Sequence, residues 1–109
     1  MDSNPVNLKS LDKEMTTVAS KYFAALRNLK LLSAQSGEVD PLNPYLIYLR
    51  KVTAAFDSLC EEDKKFINNE YFYQEYPNWW QTIYTQSSFY RIKKRSLENF
   101  LEAFHAETK

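Results

Sequence analysis

The scarcity of helix breakers constrains the fold of this chain more than any other feature. Its 109 residues include one glycine and four prolines. Apolar residues recur at spacings of three and four, and no useful stretch alternates apolar and polar residues as a β-strand does. A composition of 44% hydrophobic and 26% charged residues is sufficient for one domain with a core. The sequence therefore predicts an all-α protein, a small helical bundle.

The few breakers divide this bundle into a long N-terminal helix and a C-terminal unit. Asn4 followed by Pro5 predicts a helix start, and Gly37 predicts its end. Residues 1–37 are therefore expected to form one long helix. Asn43 followed by Pro44 opens the next helix. Residues 43–109 are expected to form a helical domain that is one compact unit.

The long helix has a continuous apolar seam, which consists of Leu8, Leu11, Met15, Val18, Tyr22, Ala25, Leu29 and Leu32. A helix of about 30 residues is roughly 45 Å long, more than a compact domain of this size needs. Two interpretations follow. The helix pairs with a second copy to form a homodimer, with contacts at Leu11, Met15, Val18 and Tyr22, or it folds across the other helices of its own chain.

A third helix is predicted from capping-box spacing. Ser58 and Glu61 stand three residues apart, as the cap and the N3 residue of such a box do. The helix is expected to begin before Glu62, to run through Tyr71 and to end at Pro77.

The helix predicted after Thr85 has two contrasting faces. At 3.6 residues per turn, one face is apolar and consists of Phe89, Ile92, Ser96, Phe100, Ala103 and Phe104. The opposite face consists of Ser87, Arg91, Lys94, Arg95 and Glu98. The Thr85 hydroxyl is expected to cap the helix. One face is therefore expected to be buried and the other to be free for binding.

The first turns of this helix have the chemistry of a DNA-reading surface. No acidic residue occurs from position 85 to 95, whereas glutamates follow at 98, 102 and 107. A recognition helix enters the major groove with its N-terminal residues, where arginine pairs with guanine and glutamine with adenine. The ordinary alternative is a solvated helix surface, which is the commonest reason for a basic run such as residues 91–95.

This stretch resembles known DNA-binding families. The run TQSSFYRIKKRSL at residues 85–97 is similar to the recognition helix of bacterial sigma factor region 4. It is closer still to small phage regulators of late transcription of the ArpU and RinA type. Upstream, AFDSLCEEDKKFI at residues 55–67 resembles the helix that opens the same domain.

The resemblance implies a sigma region 4-like helix-turn-helix over residues 78–104. It implies a DNA-binding transcription regulator, a phage or mobile-element late activator that contacts double-stranded DNA and RNA polymerase. Base or phosphate contacts would come from Gln86, Ser87, Ser88, Tyr90 and Arg91, and DNA backbone contacts from Lys94 and Arg95. Ile83-Tyr84-Thr85 replaces the usual glycine of the turn.

An aromatic-rich segment supports an alternative function. Seven aromatic residues lie between positions 71 and 84, among them Trp79 and Trp80. They are expected to fill the angle between short helices. Trp79 and Trp80 are also residue types enriched in protein interfaces. The alternative is therefore an all-helical adaptor or inhibitor that binds a protein partner and no DNA.

Other classes of function lack their sequence signals. One cysteine and one histidine leave no internal disulfide and no cysteine-based zinc site. No phosphate-binding glycine loop or nucleophile motif occurs, so we expect no enzyme, no metal and no cofactor. No apolar run approaches the length of a membrane span, and charged residues interrupt the N-terminus. The sequence predicts a cytoplasmic protein without a membrane contact.

Overall fold

The protein is all-α, as predicted. A computed structural model describes residues 7–106. Its α-helices are α1 (Leu8–Ser36), α2 (Pro44–Asp57), α3 (Glu61–Ile67) and α4 (Gln86–Ala106), and a π-helix (Asn68–Phe72) continues α3. No strand occurs in the described range. The dimensions of 51 × 32 × 22 Å are those of an elongated molecule, because α1 alone spans roughly 43 Å at 1.5 Å per residue.

Local signals set both ends of α1 within the described residues. The Asn7 carboxamide oxygen accepts the Ser10 N–H at 2.8 Å, which caps the helix. Gly37 ends the helix in the left-handed conformation, with a φ of 77°, which confirms the predicted stop. The predicted start at Asn4 and Pro5 lies outside the described residues. The second predicted start is confirmed, since the Asn43 side chain accepts the Tyr45 N–H at 2.8 Å.

The seam of α1 is buried by the same chain. Leu11, Met15 and Val18 are 7%, 0% and 4% exposed, in a core shared with α2, the π-helix and α4. Tyr22 is half-buried and packs edge-on against Phe72, with ring centroids 5.2 Å apart. The first three side chains are therefore not available to a second copy while the core is intact. The interpretation that α1 folds across the other helices describes this structure.

The third helix begins before Glu62, as predicted, but differs from its prediction in its cap and in its end. Cys60 is the residue before α3 and makes no side-chain cap. The Ser58 hydroxyl donates instead to the Ala55 carbonyl at 2.7 Å, at the end of α2, so the predicted capping box is wrong. From Asn68 the chain widens into the π-helix, which ends at Phe72, before the predicted stop at Pro77.

The first helix of the predicted helix-turn-helix does not form, so this part of the prediction is wrong. Residues 77–83 form consecutive turns, closed by bonds such as Gln81 N–H to the Asn78 carbonyl and Ile83 N–H to the Trp80 carbonyl, at 3.1 and 2.9 Å. The turns place Trp79 and Trp80 against a second core cluster of Phe66, Phe89 and Ile92. Aromatic packing therefore substitutes for the predicted helix in holding this segment.

Candidate nucleic-acid interface

The candidate site is the N-terminal half of α4, which begins where the sequence predicts. The Thr85 hydroxyl accepts the Ser88 N–H at 3.2 Å, which confirms the predicted cap. No acidic residue lies in the first turn of the helix. Beneath it, the predicted apolar face is buried at Phe89, Ile92, Ser96, Phe100 and Phe104, whereas Ala103 is half-buried.

The outward surface of this half-helix presents five of the predicted contact residues, a set that we call the reading face: Gln86, Ser87, Tyr90, Arg91 and Lys94. All are exposed except Lys94, which is half-buried. Residues four apart on a helix are neighbours, so 86, 90 and 94 form one row and 87 and 91 form a second. Neither Arg91 nor Lys94 has an ion pair with any residue from 7 to 106. Their charges are therefore not neutralised by a neighbouring carboxylate in this range.

Two other predicted contact residues have roles within the fold. Ser88 is half-buried, and its N–H is used by the Thr85 cap. Arg95 donates from Nη2 to Glu62 Oε1 at 2.6 Å and to Asp63 Oδ1 at 2.8 Å. A phosphate contact by Arg95 would have to compete with these two carboxylates.

The carboxylate of Asp63 joins α3 to α4. The residue is 1% exposed and accepts four hydrogen bonds. Arg95 Nε and Nη2 donate to Oδ1 at 3.2 and 2.8 Å. Ser96 Oγ donates to the same oxygen at 2.8 Å, and Asn99 Nδ2 donates to Oδ2 at 2.9 Å. All the donors lie on one face of α4, so this contact fixes both the position and the rotation of the helix.

The hydrogen bonds to Asp63 also determine its ionisation. Burial alone would raise the pKa of this carboxyl, because a charged group loses its hydration. The bonds from Asn99, Arg95 and Ser96 have the opposite effect, and together they hold the pKa below its ordinary value of 3.8. Asp63 is therefore an anion at neutral pH.

Lys93 forms a second polar contact on the other side of α4. Its ammonium lies 3.3 Å from Asp12 of α1 and 3.4 Å from Glu70 of the π-helix. The Tyr71 hydroxyl donates to Asp12 at 2.6 Å, and burial, followed by this contact, raises the pKa of Tyr71. The indole N–H of Trp79 donates to Glu70 at 3.0 Å. These bonds connect α1, the π-helix and the 77–83 turns to α4.

Both tryptophans that were predicted as interface residues pack behind the reading face. Trp80 stacks on Phe89 with centroids 4.2 Å apart. Trp79 meets Phe66 edge-on at 5.3 Å. Each is half-buried, so their contacts within the chain agree with the predicted structural role.

An apolar groove lies apart from the reading face, between α1, α2 and the π-helix. Its volume is about 430 Å³, and its apolar lining includes Tyr22, Phe23, Leu26, Val52, Phe56 and Phe72. Phe23 at 37% exposure and Tyr73 at 55% form parts of its rim. Tyr22, a predicted interaction residue, thus belongs to a surface cavity.

The sequence predicted which side of α4 is exposed but not the residues that hold the helix in place. Asp63, Asn99, Glu70 and Asp12 were not singled out, and Asp63 pairs with residues more than 30 positions away. The available signal was weak: Arg95, Ser96 and Asn99 share one helix face, which is compatible with a common acceptor.

Within residues 7–106, no helix is long and apolar enough to cross a membrane. Comparison with protein-family models, with curated proteins and with solved structures finds no match to this chain.

Proposed function

We propose that this protein binds double-stranded DNA through the reading face of α4 and regulates transcription. The observation that supports this proposal is that exposed Arg91 and half-buried Lys94 have no carboxylate partner among the described residues and lie on a helix half that contains no acidic residue. The two hydrophobic core clusters beneath this half-helix, together with the polar contacts of Asp63 and Lys93, fix its position in the fold. A preorganised helix loses little entropy when it enters a groove.

The two rows of the reading face suit adjacent positions of a duplex. The Arg91 guanidinium matches the O6 and N7 acceptors of guanine, and Gln86 matches the N6 and N7 positions of adenine. Ser87 and Lys94 suit phosphate oxygens, which position a helix without selecting sequence. In this proposal Arg95 remains paired with Asp63.

Electrostatics favour a local rather than a general attraction to DNA. The net charge of the chain is zero, so nonspecific binding is expected to be weak. Glu62 of α3 contacts α4 through Arg95, which pairs with its carboxylate. Repulsion between that carboxylate and a phosphate is thereby reduced.

The biological role proposed here follows the resemblance to ArpU, RinA and sigma region 4. The protein would occupy a promoter-proximal site in the cytoplasm and assist RNA polymerase, as a late activator of a phage or mobile element does. The apolar groove is lined by α1, α2 and residues 68–73 and contains no reading-face residue, which leaves it accessible to a protein while DNA is bound.

The test of this proposal is charge reversal on the reading face. Arg91→Glu combined with Lys94→Glu is expected to weaken binding of a labelled random duplex by about 100-fold, since each lost contact is worth about 1 to 3 kcal/mol. Fluorescence anisotropy at low and at physiological salt measures the change, and the wild-type affinity should fall steeply as salt rises.

The matched control reverses two charges elsewhere. Lys9→Glu combined with Lys13→Glu alters the net charge equally on the exposed face of α1 and is expected to retain most of the affinity. Equal losses in both double variants would mean that the attraction is general, and absence of wild-type binding at low salt would refute the proposal.

A second candidate function is protein binding through the apolar groove. The two long helices that line it also contain basic residues, namely Lys21, Arg27 and Lys30 of α1 and Arg50 and Lys51 of α2, and α1 from position 15 to 36 contains no acidic residue. These charges favour a partner helix with an apolar stripe flanked by glutamates.

The expected result is that a leucine-striped peptide helix with glutamate flanks binds at least about tenfold more tightly than its lysine-flanked counterpart. Phe23→Glu should abolish this binding, whereas Arg91→Glu should leave it intact. Peptide titration monitored by anisotropy checks both. Equal affinity for the two peptides would exclude this function for the groove.

A further inference from the structure

Tyr90 occupies the centre of the reading face. It lies between Gln86 and Lys94 in one row, and Arg91 of the other row follows it directly in the chain. Its side chain is 46% exposed, and no hydrogen bond from its hydroxyl occurs to any residue between 7 and 106. The face therefore presents a large apolar ring among polar and basic groups.

The ring of Tyr90 is held from one side. It meets Phe89 edge-on at 5.3 Å between centroids, and Phe89 is buried and stacked on Trp80. This contact limits the directions that the ring can take, which reduces the freedom that it loses on binding.

The exposed apolar surface is the feature that phosphate binding leaves unexplained. Phosphates and most base edges present only hydrogen-bonding groups to a protein. In the major groove, the C5-methyl of thymine is the apolar group that side chains recognise by contact. A ring centred on a groove-facing helix therefore matches a thymine methyl.

We infer that Tyr90 selects thymine through contact of its ring with the C5-methyl group, at a position beside the guanine that Arg91 reads. The preferred site of this protein then contains a thymine next to a guanine. This inference rests on the proposed DNA-binding function and specifies the sequence class of its ligand.

The test uses duplexes selected from a random pool by the wild-type protein. Each thymine of the selected site is replaced in turn by deoxyuridine, which lacks only the methyl group. One replacement, at a thymine adjoining a guanine, is expected to weaken wild-type binding about fourfold, the effect of withdrawing one buried methyl group.

Two variants assign the effect to the ring. Tyr90→Ala should bind the thymine and deoxyuridine duplexes equally, whereas Tyr90→Phe should retain the fourfold preference, because it keeps the ring and loses only the hydroxyl. Circular dichroism confirms that the helix content of each variant is unchanged.

The outcomes separate the two proposals. If no duplex is enriched and none is bound, the proposed DNA-binding function fails and this inference fails with it. If selected duplexes bind but tolerate deoxyuridine beside every guanine, or if Tyr90→Ala keeps the preference, only the thymine inference is overturned.

Discussion

Replacing Asp63 with asparagine is expected to lower the free energy of unfolding by about 2 to 4 kcal/mol. The substitution preserves the shape of the side chain but removes its charge. It also places an amide N–H₂, itself a donor, against donors that contact the carboxylate in the wild type, among them Ser96 and Asn99. Arg95 is 43% exposed at its side chain and can partly rehydrate, which keeps the expected loss below that of a fully buried pair. Urea denaturation followed by circular dichroism measures the change.

Glu61→Gln is the matched control for this prediction. It is the same chemical change in the same first turn of α3, but the Glu61 side chain is 94% exposed and pairs only with Lys64 among described residues. Its expected effect is within about 0.5 kcal/mol. A loss as large as that of Asp63→Asn would show that charge in this helix turn, and not the buried contact, is responsible.

The pH dependence of the same pair of proteins gives a second readout. The pKa of Asp63 is lower in the folded chain than its ordinary 3.8, so its stabilising effect is present above that value and is lost as pH falls through the folded pKa. The stability difference between the wild type and Asp63→Asn should therefore be constant near neutral pH and shrink below about pH 4. A difference independent of pH down to the folded pKa would contradict the assigned ionisation.

Replacing Phe66 with alanine is expected to cost about 3 to 5 kcal/mol, the usual range for deletion of a buried aromatic ring. Phe66 is 0% exposed, and its ring lies 5.3 Å from those of both Trp79 and Phe89. A cavity at this point removes the packing between α3, the 77–83 turns and α4. The chain contains two tryptophans, and Trp80 packs on Phe89 in the same cluster. Intrinsic fluorescence therefore reports on this cluster, and its emission should move to longer wavelength.

Tyr76→Ala is the control for Phe66→Ala. It also removes an aromatic ring, but from an exposed position in the segment that follows the π-helix. Tyr76 is 65% exposed, so its removal leaves no cavity and should change stability by less than about 0.5 kcal/mol. Retention of wild-type stability and emission by Phe66→Ala would mean that this cluster does not hold the turns.

The parts of the fold that sequence predicted are those with local signals. Gly37 ends α1 because its φ of 77° suits glycine. The Asn43 side chain and the Thr85 hydroxyl cap helices within three residues of themselves. The burial of Phe89, Ile92 and Phe100 follows from the 3.6-residue period alone. Such signals do not depend on how distant segments meet.

Most of the features that sequence could not predict depend on such meetings. The Ser58 hydroxyl is an exception, because its bond to the Ala55 carbonyl is as local as the predicted cap, and the sequence allowed both. The π-helix and the 77–83 turns orient Tyr71 and Trp79 toward Asp12 and Glu70. Periodicity within one helix cannot indicate these partners, because they come from other elements. For the same reason the exposure of Ser87 and Arg91 was predicted, but the pairing of Arg95 with Asp63 was not.

The polar contacts on either side of α4 have a consequence for mutational tolerance. Asp63, Lys93 and the buried apolar face of α4 determine the rotation of this helix about its axis. None of these groups belongs to the reading face. Single changes at Gln86, Ser87 or Arg91 remove no ion pair or core contact in the described chain, so each is expected to alter stability by less than about 0.5 kcal/mol. The protein can therefore acquire a new ligand preference by substitution at these positions without losing its fold.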